Sequence, residues 1–271
     1  MHTEAKPNEP SNVGKHVLSE RLDRTLAGLA DVYRFMLRFF REAFLPPYEW
    51  REVMNQCYQI GVRSVPLITL TGFITGIVFT NQSRPSLSDL GATAMLPALI
   101  AVAVVRALAP LITALIAAGR VGSNIGAELG SMRVTEQIDA MEVSAVNPFK
   151  FLVVTRVLAT TFMIPTLMVY TSVVALFGGY LNIHQNELTS SRSFIDQVFD
   201  TITFLDIFSS LFKSFVFGFT IGIVCCYKGY NSSKGTEGVG KAANASVVAS
   251  MFLIFIEELL IVQVLQAMRA A

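Results

Sequence analysis

The chain has 271 residues, 52% of them hydrophobic and 15% charged, with a mean hydropathy of +0.53. Soluble domains carry about 25% charged residues, so this composition excludes an ordinary soluble domain, and a net charge of +1 gives no footing for nucleic-acid binding. Cys57, Cys225 and Cys226 form no disulfide framework; the last two are neighbours in an apolar run and read as small buried hydrophobes.

Residues 1–20 are polar and include Pro7 and Pro10, a stretch expected to be loosely held. Residues 1–60 lack a short apolar core followed by a small-residue cleavage site, so no secretory leader is expected there. From Leu22 to Leu45 the pattern predicts a helix. Arg34, Arg38 and Arg41 recur at i, i+4 and i+7, while Leu26, Leu29, Tyr33, Met36, Leu37, Phe40 and Phe44 gather on the rest of the surface. This is the pattern of a helix lying in a membrane interface with its basic face to the headgroups; a helix packed on protein would share it.

Five membrane spans follow. Ser64–Ser83 has 20 residues and no charge, about the length that crosses a bilayer core. Leu90–Val105 and Ala107–Gly119 are uncharged and separated only by Arg106; Pro97 and Pro110 suggest a short helix or re-entrant piece before Pro97 and then a span. Val157–Asn186 offers 30 uncharged residues. Ser214–Tyr227 is uncharged, and Leu205–Phe212 extends it at the cost of Asp206. Ala242–Ile256 and Leu259–Met268 flank Glu257 and Glu258. With five spans the termini lie on opposite sides. One side then holds 16 Lys and Arg, in the N-terminal region, the 120–156 block and the 228–241 loop, and the other holds 4. The excess of basic residues on cytoplasmic loops puts the N-terminus and the 120–156 block in the cytoplasm and the C-terminus outside.

The most informative stretch is a polar block between the second and third spans: seven charges fall between Arg120 and Lys150. Val134, Ile138, Met141 and Ala145 repeat with helical spacing, and Glu136, Asp139 and Glu142 make an acidic face. Asn147-Pro148 is expected to end this helix, since the residue before proline is pushed out of the helical region. Gly119, Gly122, Ser123, Gly126, Ala127 and Gly130 precede it and permit close helix approach. The block reads as a coupling helix for a cytosolic partner; a surface-lying linker helix is the plainer reading.

Other motifs carry less. Gly235-Thr-Glu-Gly-Val-Gly-Lys-Ala242 approaches a phosphate-binding loop but has Ala242 where Ser or Thr must hold magnesium, and a span where a strand is needed. Its glycines read as a turn between the fourth and fifth spans. Gly72-Phe-Ile-Thr-Gly76 and Gly218-Phe-Thr-Ile-Gly222 permit close helix crossing, by default within the chain. Arg106, Glu257 and Glu258 sit inside spans, where an unpaired charge costs several kcal/mol; Arg106 with Glu257 is a plausible pair. His2, His16 and His184 are not at metal-ligand spacing, and neither Gly-x-Ser-x-Gly nor His-Glu-x-x-His occurs, so no catalytic residue and no metal site is expected.

The block Ala118-Gly-Arg-Val-Gly-Ser123, with Ala127-Glu-Leu-Gly130, Met132-Arg-Val-Thr-Glu-Gln-Ile-Asp-Ala-Met-Glu142 and Asn147-Pro148, resembles the signature of the MlaE/YrbE permeases of bacterial ABC-type lipid transporters that work with MCE proteins. Phe73-x-x-Gly76 with Gln82, Tyr227-x-Gly229-Tyr230, and Glu237-Gly-Val-Gly240 before a basic residue extend the resemblance over roughly 50–268. Two positions depart from it. Arg106-Ala-Leu-Ala-Pro110 stands where the family usually has Arg-Glu-Leu-Gly-Pro, and Lys241 stands where arginine is common.

The resemblance implies an all-α integral membrane protein: residues 1–20 loose, 21–60 an interfacial helix and connector, and 61–271 the permease domain with its coupling block at 119–147. It implies a bacterial inner-membrane homodimer moving lipid, phospholipid in the first instance, to or from a periplasmic MCE protein. Cytosolic ATPase subunits would supply ATP and Mg, with no cofactor on this chain. Arg120, Glu128, Arg133, Glu136, Gln137, Asp139 and Glu142 are then the ATPase-coupling residues. Acyl chains would meet Phe73, Ile77 and Phe79, and the headgroup would lie near Asn81, Gln82 and Arg106, with Glu257 an intramembrane acid. The rival readings are a secondary transporter or channel driven by an ion gradient, which predicts an inverted repeat not found here, and a scaffold that only anchors a partner.

Overall fold

The structure is a computed structural model that describes residues 28, 30–46, 48–187, 190–233 and 235–270. The expected loose segment 1–20, and the start of the basic amphipathic helix at Leu22, lie outside the described residues. Among the described residues every regular element is helical. The chain separates into two compact units, Met1–Phe44 and Leu45–Ala271. The described part of the first is a helix, α1, over 30–43, with Arg34, Arg38 and Arg41 exposed.

The second unit contains α2 (Trp50–Ile60), α3 (Val65–Asp89), α4 (Leu96–Ala103), α5 (Ala109–Ala117), α6 (Ser123–Val134), α7 (Gln137–Val143), α8 (Thr155–Glu187), α9 (Ser191–Thr201), α10 (Phe204–Tyr230) and α11 (Thr236–Ala270). These assemble into five helical rods long and apolar enough to cross a membrane: Trp50–Asp89, Thr93–Val134, Phe149–Asn186, Phe204–Tyr230 and Thr236–Met268.

Of the two forms expected before Pro97, a short helix or a re-entrant piece, the second rod has the first: a single 3₁₀ turn, Thr93–Met95, directly before Leu96-Pro97. Pro97 and Pro110 sit in the first turns of α4 and α5. Wide π-turns at Val104–Leu108 and Ala118–Gly122 carry the chain from α4 through α5 into α6. In a continuous α-helix the N–H of residue 110 would donate to the Arg106 carbonyl, and proline has none. Here Lys213 Nζ on α10 lies 3.3 Å from that carbonyl, and Ser210 Oγ donates to the Val105 carbonyl at 2.7 Å. The proline is thus accommodated by side chains of another span, as broken helices in membranes require.

The third rod, with α8 as its main part, is the most buried of the five, and α2, α3, α5 and α10 all pack on it. The close crossings use the glycine pairs. A Cβ on Gly178 would fall 2.5 Å from the Phe73 carbonyl oxygen, and one on Gly76 would strike the Ala175 backbone. A Cβ on Gly218 would fall 2.7 Å from the Thr160 carbonyl oxygen. Both small-xxx-small patterns therefore serve packing within the chain. Cys225 and Cys226 are fully buried, as their neighbourhood predicts.

Asn147-Pro148 opens a helix here as well as following one. Helix α7 already stops at Val143, and Asn147 Oδ1 then accepts the Lys150 N–H at 3.2 Å at the start of the turn Phe149–Val154. In the expected turn of the near-miss loop only Gly235, at φ 100°, lies outside a helix; Gly238 and Gly240 belong to α11. Helix α9 was not anticipated. Its signal is Phe194, Ile195, Val198 and Phe199 at i, i+1, i+4 and i+5, of which Phe194 and Val198 are buried.

Candidate functional sites

The polar block is helical for most of its length. Helix α6 continues the second rod, and the small residues at and before its start lie against α10 and α11: a Cβ on Gly122, the last residue of the preceding π-turn, would fall 2.9 Å from Cys225 Sγ, and one on Gly126 would fall 2.5 Å from Ser246 Oγ. The chain then breaks at Thr135-Glu136, with Glu136 in the left-handed region at φ 58°. The expected seam of Val134, Ile138, Met141 and Ala145 is therefore interrupted twice, since Ala145 lies beyond α7 at φ 59°. Ile138 is its one fully buried member. Arg133 Nη1 reaches back across the break to Asp139 Oδ1 at 2.8 Å.

The seven predicted coupling residues divide by direction. Arg120 and Glu128 serve the interior: Arg120 Nη1 donates to Ser64 Oγ at 2.6 Å, and Glu128 Oε1 accepts from Arg156 Nη2 at 2.8 Å. Arg156 is buried and donates its Nη1 to the Leu152 carbonyl at 2.9 Å, so it ties α6 to the start of α8. Glu136, Gln137, Asp139 and Glu142 are exposed, with Arg133 half-buried among them. Val143, at the tip of α7, is 90% exposed.

The predicted lipid contacts are dispersed. Phe73, Ile77 and Asn81 follow one another at i, i+4 and i+8 on α3, and Phe73 packs 6.4 Å from Phe177. Phe79 faces elsewhere, packing partly buried against the cluster of Leu96, Ile100, Met168 and Ile183. Asn81 and Gln82 are exposed, and α3 continues past them to Asp89.

Arg106 belongs to a different constellation. Its Nη2 lies 2.7 Å from Asp206 Oδ2, and not on Glu257 as supposed. Asp206 is only 1% exposed, and its carboxylate also accepts from the Thr203 backbone N–H and hydroxyl, closing a capping box at the start of α10. About two turns further along α10, Lys213 Nζ pairs with Glu258 Oε1 of α11 at 2.6 Å. Glu257 instead accepts from the Thr220 hydroxyl at 2.5 Å. Arg106, Ala107, Lys213, Glu258 and Gln266 line a cavity of about 220 Å³. Beside it, sharing Ser209 and Leu265, runs a groove of about 500 Å³ walled by Leu205, Phe208, Phe212, Leu260, Val264 and Met268. The arrangement is amphiphilic: paired charges at one end and an apolar trough at the other.

A family model for "Permease MlaE" matches residues 53–264. The chain belongs to the MlaE permease family. A "Probable ABC transporter permease protein" of Rickettsia typhi is 35% identical over 253 residues, covering 93% of this chain and 96% of its own length. A protein of the same description from Synechocystis is 36% identical, covering 76% of this chain and 78% of its own. The chloroplast protein TRIGALACTOSYLDIACYLGLYCEROL 1 of Arabidopsis thaliana is 32% identical, covering 77% of this chain and 60% of its own.

Within an MlaE permease of this sequence, Ala107 leaves Arg106 without an acidic sequence neighbour, and the counter-charge comes from Asp206, 100 residues away. Sequence reasoning missed Asp206, Lys213, Glu258 and Arg156 as partners. A signal for the first was present, since Thr203-x-x-Asp206 is a helix-start pattern. Lys213, alone in an apolar run, demanded a partner but named none. Lys241, the other departure, makes an exposed pair with Glu237 at 2.6 Å.

Proposed function

We propose that this MlaE-family permease is the membrane subunit of an ATP-driven lipid transporter. It works as a homodimer in the bacterial inner membrane and passes phospholipid between that membrane and a periplasmic MCE protein. The observation that carries the reading is the paired-charge cavity opening onto an apolar groove, because a lipid is the ligand that needs both within a span. The name of the Arabidopsis relative, which refers to a glycerolipid, supports the same substrate class. The basic-residue asymmetry supports a cytoplasmic N-terminus and polar block and a periplasmic C-terminus. Cytosolic ATPase subunits would dock on the exposed residues of α7 and supply ATP and Mg, with this chain binding no cofactor. Arg120 and Glu128 then brace the docking helix from behind. The large uncovered apolar faces of α3 and α11 suit a second copy and lipid.

The test is a pull-down of tagged chain from detergent-solubilised membranes, wild type beside a Glu136→Lys/Asp139→Lys variant, with proteins and lipids identified by mass spectrometry. An ATPase, an MCE protein and phospholipid are expected with the wild type, and loss of the ATPase alone from the variant. The ion-gradient reading draws on Glu257, whose Oε2 is buried in a span without a partner. A wild-type dimer that brings no ATPase would favour that reading and overturn ours.

A further inference from the structure

From the charge balance of the cavity we infer that it selects a net-neutral headgroup bearing both a phosphate and an N–H donor, the phosphoethanolamine type, over an anionic one. This rests on the lipid reading above. Two cations and one carboxylate line the site, and each cation is already matched: Arg106 by Asp206, buried behind it, at 2.7 Å and Lys213 by Glu258 at 2.6 Å. Glu257, the neighbour of Glu258, lies outside this lining and accepts from the Thr220 hydroxyl instead. No surplus positive charge therefore waits for a phosphate. An anionic headgroup would enter uncompensated or would have to displace a carboxylate into a poorly solvated space, and unpaired charge there is costly.

A headgroup carrying both signs fits without breaking either pair. The Arg106 side chain is 36% exposed and that of Glu258 is 16% exposed, so both are reachable. Each pair is made through a single oxygen of its carboxylate, so part of the guanidinium and part of the Glu258 side chain still face the cavity. A phosphate oxygen can add to the guanidinium while an ammonium adds to Glu258. A phosphocholine headgroup has the same net charge but no N–H to give. The acyl chains then lie in the adjoining groove, entered past Ser209 and Leu265.

The experiment uses the full chain in nanodiscs of phosphatidylcholine with a trace of tail-labelled phospholipid. Displacement of the label is measured with phosphatidylethanolamine, phosphatidylglycerol, phosphatidylcholine and digalactosyl diacylglycerol of matched chains. Phosphatidylethanolamine is expected to compete at least tenfold better than the others. Glu258→Gln frees Lys213 and should turn the order toward phosphatidylglycerol by at least tenfold, while Glu258→Asp keeps the wild-type order. A reversal of preference cannot arise from misfolding. Equal competition by all four lipids, or an unchanged order in Glu258→Gln, overturns the headgroup inference and leaves lipid binding standing. An unchanged order accompanied by loss of the dimer on gel filtration would assign the cavity to contact with a second copy, and also overturns it. No displacement by any lipid overturns both this inference and the lipid reading it rests on.

Discussion

The two charged regions of this permease solve opposite problems. Around Arg106 and Lys213, deep within the rods, the described cations are matched across helices, Arg106 from the second rod to α10 and Lys213 from α10 to α11. In the block that ends the second rod and follows it the charges divide, with Arg120 and Arg156 held by partners within the chain, Glu128 half-exposed on Arg156, and Glu136, Asp139 and Glu142 outward. The difference follows from solvent. An ion without water must be paired or it destabilises the fold, whereas an exposed pair contributes at most about 1 kcal/mol and leaves its charges available to a partner. Pairing across helices therefore marks where this protein is built, and exposed charge such as that of Glu136 and Glu142 marks the face left to solvent.

That contrast can be broken in a graded series. The largest effect is expected at the α3/α8 crossing, apart from both regions' ion pairs. Gly76→Leu forces a side chain into the Ala175 backbone and should abolish the monodisperse peak on gel filtration, since backbone there cannot yield as a side chain does. Next is Arg106→Ala, which strands a carboxylate that is 1% exposed. A loss of about 3–5 kcal/mol is expected from removing one partner of a buried pair, read by thermal unfolding in detergent. Arg106→Ala/Asp206→Asn should recover most of that loss; equal instability of single and double variants would show that the pair is not the cause.

Arg156→Ala comes third. Its partner Glu128 is 45% exposed and can be rehydrated, so about 1–3 kcal/mol is expected, mostly from the lost hydrogen bonds of a buried donor. Glu136→Lys/Asp139→Lys should shift the melting midpoint least among the charge changes, within about 0.5 kcal/mol as for surface substitutions, while removing the ATPase from the pull-down. A stability loss comparable to that of Arg156→Ala would mean that the outward charges are structural and would erase the contrast. The smallest expected change is a gain. Gly240→Ala adds a methyl in α11 where nothing lies within 4 Å, and should stabilise by about 0.4–1 kcal/mol through the unfolded chain.

Much of the architecture was legible in the amino-acid sequence because crossing a bilayer is a constraint of length. A run of about 20 apolar residues has few other solutions, so the five rods, the packing glycines and the buried Cys225 and Cys226 could be read locally. Boundaries failed where local patterns compete. Val134, Ile138 and Met141 keep helical spacing across a chain break at Glu136, because periodicity registers residue order and not the backbone angle between two helices. Pro97 suggested an interruption, yet a proline in the first turn of a helix costs nothing, since that N–H has no partner in any case. Helix α9 went unread because its apolar residues are few and fall between two stronger spans.

What the sequence determined by itself was the class of solvent, the number of crossings, the polar block and the need for each intramembrane charge to find a partner. What the tertiary structure alone decided was which partner. Arg106 had Glu257 as a plausible mate on composition, and meets Asp206 because the π-turn ahead of Pro110 and the capping box at Thr203 bring those two atoms to 2.7 Å. The same packing set the buried Arg156 against a half-exposed Glu128 and left Glu136 outside. Charge type is written in the residue, but direction belongs to the helix that carries it, and helix rotation is set by steric contacts between spans such as Gly76 on Ala175 and Gly218 on Thr160.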